Sequence, residues 1–204
     1  MTRNEISEFF IEAGWIRYRD EVGMNILVKR LNESTIDLIP QLFSDSLSLN
    51  PSVSIDVFDK FDHLIGERDV DCNGKRTARR YVEGSIICQS NVEVRKIDYT
   101  FEDIVALSDQ ILEWAASADI EAGLAALRAL PTDCLGAMPV RHLAALAVAG
   151  DVETLEHYRD SFAAGDRLDF VPYIDEGYIA RALDFAQKRR IDPNWMPDKP
   201  KLRV

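Results

Sequence analysis

The chain is poor in the residues by which a sequence usually declares its chemistry. Of its 204 residues only three are cysteine, Cys72, Cys88 and Cys134, and three are histidine, His63, His142 and His157. An odd number of widely spaced cysteines without a CxxC pair excludes a disulfide framework and suits reduced thiols in a cytosol. No histidine has a second histidine or a cysteine three or four residues away, so no helix face presents two such metal ligands, and no metal or cofactor is expected. GxSxG and SxxK are both missing, and Gly66, Gly74 and Gly84 stand singly, which leaves neither an activated serine nor a phosphate-cradling loop. Apolar runs are short. The longest, around Leu143 to Ala149, cannot cross a bilayer, and the acids interleaved in MTRNEISEFFIEAGW argue against a signal peptide, so a cytoplasmic chain is expected.

Positive charge is also scarce. Lys and Arg number 24 against 35 Asp and Glu, giving −11 at neutral pH and a pI near 4.8. Such a field repels nucleic acid and anionic membranes and attracts basic proteins. The excess is uneven: residues 1–100 carry 13 bases against 17 acids, residues 101–185 carry 5 against 16, and residues 186–204 carry 6 against 2. An acidic second half therefore ends in a small basic tail.

What is present is ordinary globular material, with 47% hydrophobic residues, and its texture changes near Thr100. Before that point Ile6, Phe9, Phe10 and Ala13 share a helical face stopped by Gly14. The runs WIRYRD, MNILVKRL, SVSIDVF, YVEGSIICQ and NVEVRKIDY then read as strands separated by turn formers. After Thr100 the period becomes helical, with Ile104, Leu107, Ile111, Leu112 and Ala115 in one stripe. Five helices are expected there, each bounded by a capping or breaking residue. Asp119-Ile-Glu and Asp151-Val-Glu recur at a helical-repeat interval, but Asp-x-Glu is simply a good helix start, and a plain bundle is the better reading.

The predicted fold is α+β. An N-terminal helix and a mostly antiparallel β-meander (1–100) pack against a helical region (101–190), and a Pro-rich basic tail (191–204) follows, from which Trp195 and Met196 can fold back.

The stretch DVDCNG (69–74) spells the first half of a calcium-binding EF-hand loop. Counting on from Asp69, however, loop position 8 is Arg76 and position 12, where a bidentate acid is required, is Arg80. Asn73-Gly74 instead suits a two-residue hairpin turn, which sets Asp71 across from Arg76 and Glu67 across from Arg80. No ion is expected there.

One stretch stands out: YRDSFAAGDRLDFVPYIDEGY, residues 158–178. It interleaves Asp160, Asp166, Asp169, Asp175 and Glu176 with Tyr158, Phe162, Phe170, Tyr173 and Tyr178. Aromatic anchors ringed by carboxylates are the composition of a surface for a basic protein, and Asp160, Asp166, Asp169, Tyr173, Asp175, Glu176 and Tyr178 are the expected contacts. The competing reading makes the aromatics core and the acids their wet side.

In size, acidity and α+β character the chain resembles small bacterial immunity proteins, whose acidic members sit on cationic toxins and place carboxylates where nucleic-acid phosphates would go. That resemblance implies a non-enzymatic inhibitor of a cognate, basic toxin. The first 130 residues are also similar to the acidic dimeric chaperones of type III secretion, from which the helical half departs. An enzyme with a site assembled from distant residues is the third alternative.

Overall fold

The structure is a computed structural model that describes residues 2–19, 25–66, 86–96 and 98–197. The fold is α+β, and the chain divides into two compact units. The first comprises residues 1–56 and 82–120, the second residues 57–81 and 121–204. They interleave along the chain, so the helix after Thr100 belongs with the sheet, and a helix between the strands belongs with the helical unit.

In the first unit, helix α1 (Arg3–Glu12) starts on a reciprocal cap: the Thr2 hydroxyl accepts from Glu5 N and the Glu5 carboxylate accepts from Thr2 N. It ends where Gly14 takes a left-handed φ of +86° and the Trp15 amide donates back to Phe10 O at 3.0 Å. Strands β1 (Ile16–Arg19), β2 (Asn25–Leu31), β3 (Ser34–Leu42) and β4 (Leu47–Ile55) form an antiparallel meander, and β5 (Cys88–Gln89) and β6 (Val92–Val94) both pair with β4. The gap between β5 and β6 lies opposite Pro51. Ser90 N donates to Pro51 O at 2.9 Å, so the nitrogen of Pro51, which has no hydrogen to give, faces the break in pairing.

Strand alternation divides the sheet into two chemically different faces. Leu27, Ile36, Leu38, Leu47, Leu49 and Val53 share a core with Ile6 and Phe10 of α1 and with Ile104, Leu107, Ile111 and Ala115 of α3 (Phe101–Ser117). Helix α3 opens on a second reciprocal cap, Thr100 with Asp103. The buried Trp15 indole donates to Ser108 Oγ at 2.8 Å and fastens α3 to the β1 entrance. The other face carries Thr35, Asp37, Gln41, Ser48, Asn50, Ser52 and Gln89, as their registers with the core residues require. Asp37, Gln41, Ser48, Asn50, Ser52 and Gln89 line an open groove there of about 550 Å³.

The second unit contains α2 (Asp56–Gly66) from Val57 on, together with α4 (Ile120–Arg128) from Glu121 on, α5 (Met138–Ala149), α6 (Val152–Ala163) and α7 (Glu176–Ile191). Alanines 144, 145 and 147 on α5 are fully buried. Gly150 then turns the chain at φ +68°, and a Cβ at that position would lie 3.5 Å from the Arg190 backbone nitrogen on α7. Asp151 caps α6 by accepting from Thr154 N at 3.1 Å. The C-terminal end of α2 is closed from α7, where Arg181 donates through Nε and Nη2 to Ile65 O at 3.2 and 2.9 Å. Phe61 of α2 stacks on Phe185 at 4.8 Å, and Trp195 folds back onto both rings.

Among the described residues five helices follow Thr100, as expected. One strand reading needs correction, and one strand was missed. SVSIDVF is strand only as far as Ile55; Asp56 starts α2, where its carboxylate suits the helix N-terminus and pairs with Arg30 at 3.1 Å. His63 is therefore helical. Strand β3 was not anticipated. Trp15, Ile26, Ile87, Ile104, Leu107, Ile111, Leu127, Leu146, Leu155 and Ala182 are buried, and Phe9, Val28, Val57, Val94 and Phe185 are half-buried. The Asn73-Gly74 hairpin lies outside the described residues.

Candidate functional site

The acidic–aromatic stretch occupies the end of α6, the start of α7 and the connection between them. Gly165, at φ +85°, releases the chain from α6. The Asp166 carboxylate then accepts from Leu168 N at 2.9 Å, and Leu168 and Asp169 both take left-handed φ values, +50° and +60°. Two adjacent non-glycine residues in that region cost energy and persist only where their surroundings hold them. The holding group is Arg167. Its Nη2 reaches the carbonyls of Val171, Pro172 and Ile174 at 3.2, 3.4 and 2.6 Å, and its guanidinium lies over the Phe162 ring at 5.3 Å. Asp175 ends the loop by capping α7, accepting from Gly177 N and Tyr178 N.

This loop is tied to the one between α4 and α5. The Thr132 hydroxyl donates to Leu168 O, and the Tyr173 hydroxyl donates to Gly136 O. The second loop has its own turns, with Cys134 N donating to Pro131 O at 3.3 Å and Met138 N to Leu135 O at 3.4 Å. Together the two loops make one hydrogen-bonded surface of the helical unit.

Asp160, Asp166, Asp169, Asp175 and Glu176 are all exposed, as is Asp133 on the neighbouring loop. Asp160 pairs with Arg159 at 2.8 Å. Among the described residues, no salt bridge engages Asp166, Asp169, Asp175 or Glu176. Of the nearby cations, Arg167 bonds loop carbonyls, and Arg181 bonds Ile65 O and lies over the Tyr178 ring at 5.0 Å.

The aromatics behave differently from the acids. Phe162, Phe170 and Tyr178 are 7, 4 and 3% exposed, so Tyr178 is a core residue and has almost no surface to offer a partner; its place among the expected contacts is corrected accordingly. Tyr173 alone of the expected contact aromatics is half-buried. The sequence reading missed two residues. Leu135, 76% exposed, and Met138, 37% exposed, flank the carbonyl that Tyr173 holds. Their apolarity gave no warning, because exposure is a tertiary property.

Beneath the surface lies a polar cluster. His142 is 2% exposed, with Nδ1 3.0 Å from Leu127 O and Nε2 3.0 Å from the Tyr158 hydroxyl. A carbonyl can only accept, so Nδ1 carries the proton and neutral Nε2 accepts from Tyr158. Burial lowers the His142 pKa and raises that of Tyr158, both in the direction of the neutral forms. The free thiols of Cys88 and Cys134 are likewise pushed up by burial, the opposite of an activated nucleophile. Among the described residues, no group of three or more His, Cys, Asp or Glu side chains is placed to hold a metal ion, and no helix is long and apolar enough to cross a membrane.

Compared with known proteins, the sequence matches over residues 2–187 the family described as "Family of unknown function (DUF6990)". No curated protein and no solved structure matches it.

Proposed function

The chain belongs to this family of unknown function, and we propose that it is a non-enzymatic binding protein that receives a basic protein on the two-loop surface, as an immunity protein receives a cationic toxin. One observation carries the reading: Asp166, Asp169, Asp175 and Glu176 are exposed on a tightly hydrogen-bonded loop, and among the described residues no salt bridge engages them. Exposed carboxylates without an ion pair, in a chain of net charge −11, draw in a basic partner and accept charge-assisted bonds from its Lys and Arg side chains. The backbone that presents them is already ordered, so binding loses little conformational entropy. In this reading the site needs no cofactor, and nucleic acid and anionic membranes are repelled.

The test is capture of the partner from the native host, followed by co-expression. The captured protein should have a basic pI and should arrest growth of a naive cell, and the chain should relieve that arrest. An acidic partner, or no relief of arrest by a chain that still binds, would contradict the proposal.

A further inference from the structure

We infer that the partner segment received here is amphipathic, seating an apolar side chain on Leu135 and Met138 while flanking lysines or arginines meet Asp166, Asp169, Asp175 and Glu176. The inference rests on the reading of the surface as a site for a basic protein and specifies what that protein must present. A lone exposed leucine is ordinary. Here Leu135 and Met138 flank the Gly136 carbonyl that half-buried Tyr173 holds, and Tyr173 sits on the loop whose exposed acids supply the rim, so apolar and charged side chains share one hydrogen-bonded surface, as the centre and margin of a protein interface do. Nor is Leu135 exposed through slack in the chain. Turn bonds from Cys134 N and Met138 N hold its backbone, Thr132 and Tyr173 tie its loop to the acidic one, and Gly136 beside it is at φ +66° with open space where a Cβ would stand. A purely cationic partner would leave these side chains in water. An anionic lipid surface, which could cover them, would be repelled by the rim.

Two synthetic peptides of equal leucine and lysine content, about four helical turns long, separate the alternatives. In one the leucines fall on a single helical face; in the other the order is shuffled. Each is titrated calorimetrically against the full chain at low and high salt. The wild-type chain should prefer the amphipathic isomer by about tenfold, in line with burial of a leucine-sized surface. The exposed-site variant Leu135→Ser/Met138→Ser, checked for folding by circular dichroism, should lose that preference and keep the salt dependence. Asp166→Asn/Asp169→Asn/Asp175→Asn/Glu176→Gln should show a flatter salt dependence and bind both peptides more weakly. If the wild type shows no preference, or the Leu135/Met138 variant retains it, the inference is overturned, while a weakened acid variant still upholds the basic-partner reading. Equal binding of both peptides by the acid variant and the wild type, or no binding at all, overturns both.

Discussion

The Tyr173 hydroxyl donates to the carbonyl oxygen of Gly136, 37 residues earlier, and so joins the acidic loop to the loop that exposes Leu135. Tyr173→Phe removes that bond and keeps the ring. It should cost about 0.5–1.5 kcal/mol in urea denaturation, and it should speed dissociation of a bound partner several-fold by loosening the register of the two loops.

Trp15 and Ser108 make the corresponding test in the sheet unit. Both are buried, and the indole has Ser108 Oγ as its acceptor at 2.8 Å. Ser108→Ala strands a buried N–H and should destabilise the chain by about 1–3 kcal/mol. Equilibrium unfolding monitored by far-UV circular dichroism measures this loss.

Trp195 lies 6.0 Å from Phe61 and 5.8 Å from Phe185, with Lys188 Nζ 5.1 Å above its ring. Trp195→Ala should uncover both phenylalanines and lower stability by about 2 kcal/mol. A lower thermal midpoint with unchanged helical signal at low temperature is the expected result.

His142 sets a pH dependence. Burial, the main cause, holds its pKa below the ordinary value of 6.5, with the Leu127 carbonyl and Asp151 acting in the opposite direction. The unfolded chain therefore binds a proton more readily, and the contribution of neutral His142 is complete above about pH 6.5 and is lost as pH falls toward the folded value. Denaturation midpoints at roughly pH 8 and pH 5 should differ in the wild type, and His142→Gln should remove the part of that difference arising nearest neutrality.

The elements that were legible in the sequence are those whose ends are local chemistry. Thr100, Asp151 and Asp175 cap the helices they precede, and Gly14 and Gly150 close the ones they follow. Strand β3, STIDLIPQL, carries Pro40 inside it and buries residues on both faces, so neither alternation nor composition marked it. Helix α2 was hidden because the alternating SVSI runs straight into its first turn. In the site, the acids were legible because exposed carboxylates need only be counted. The burial of Tyr178 and the exposure of Leu135 depend on which surfaces meet, and no spacing encodes that.

Association kinetics with the captured native partner, followed over rising NaCl, test the acidic surface most directly. Asn can still cap α7 at position 175 and accept from Leu168 N at position 166, so Asp166→Asn/Asp169→Asn/Asp175→Asn/Glu176→Gln should keep the wild-type circular dichroism spectrum. The wild-type association rate should fall steeply with salt, and the quadruple variant should associate about tenfold more slowly at low salt with a flatter dependence. A folded quadruple variant that associates at the wild-type rate in low salt would contradict the assignment and move the binding surface to the outer, polar face of the sheet.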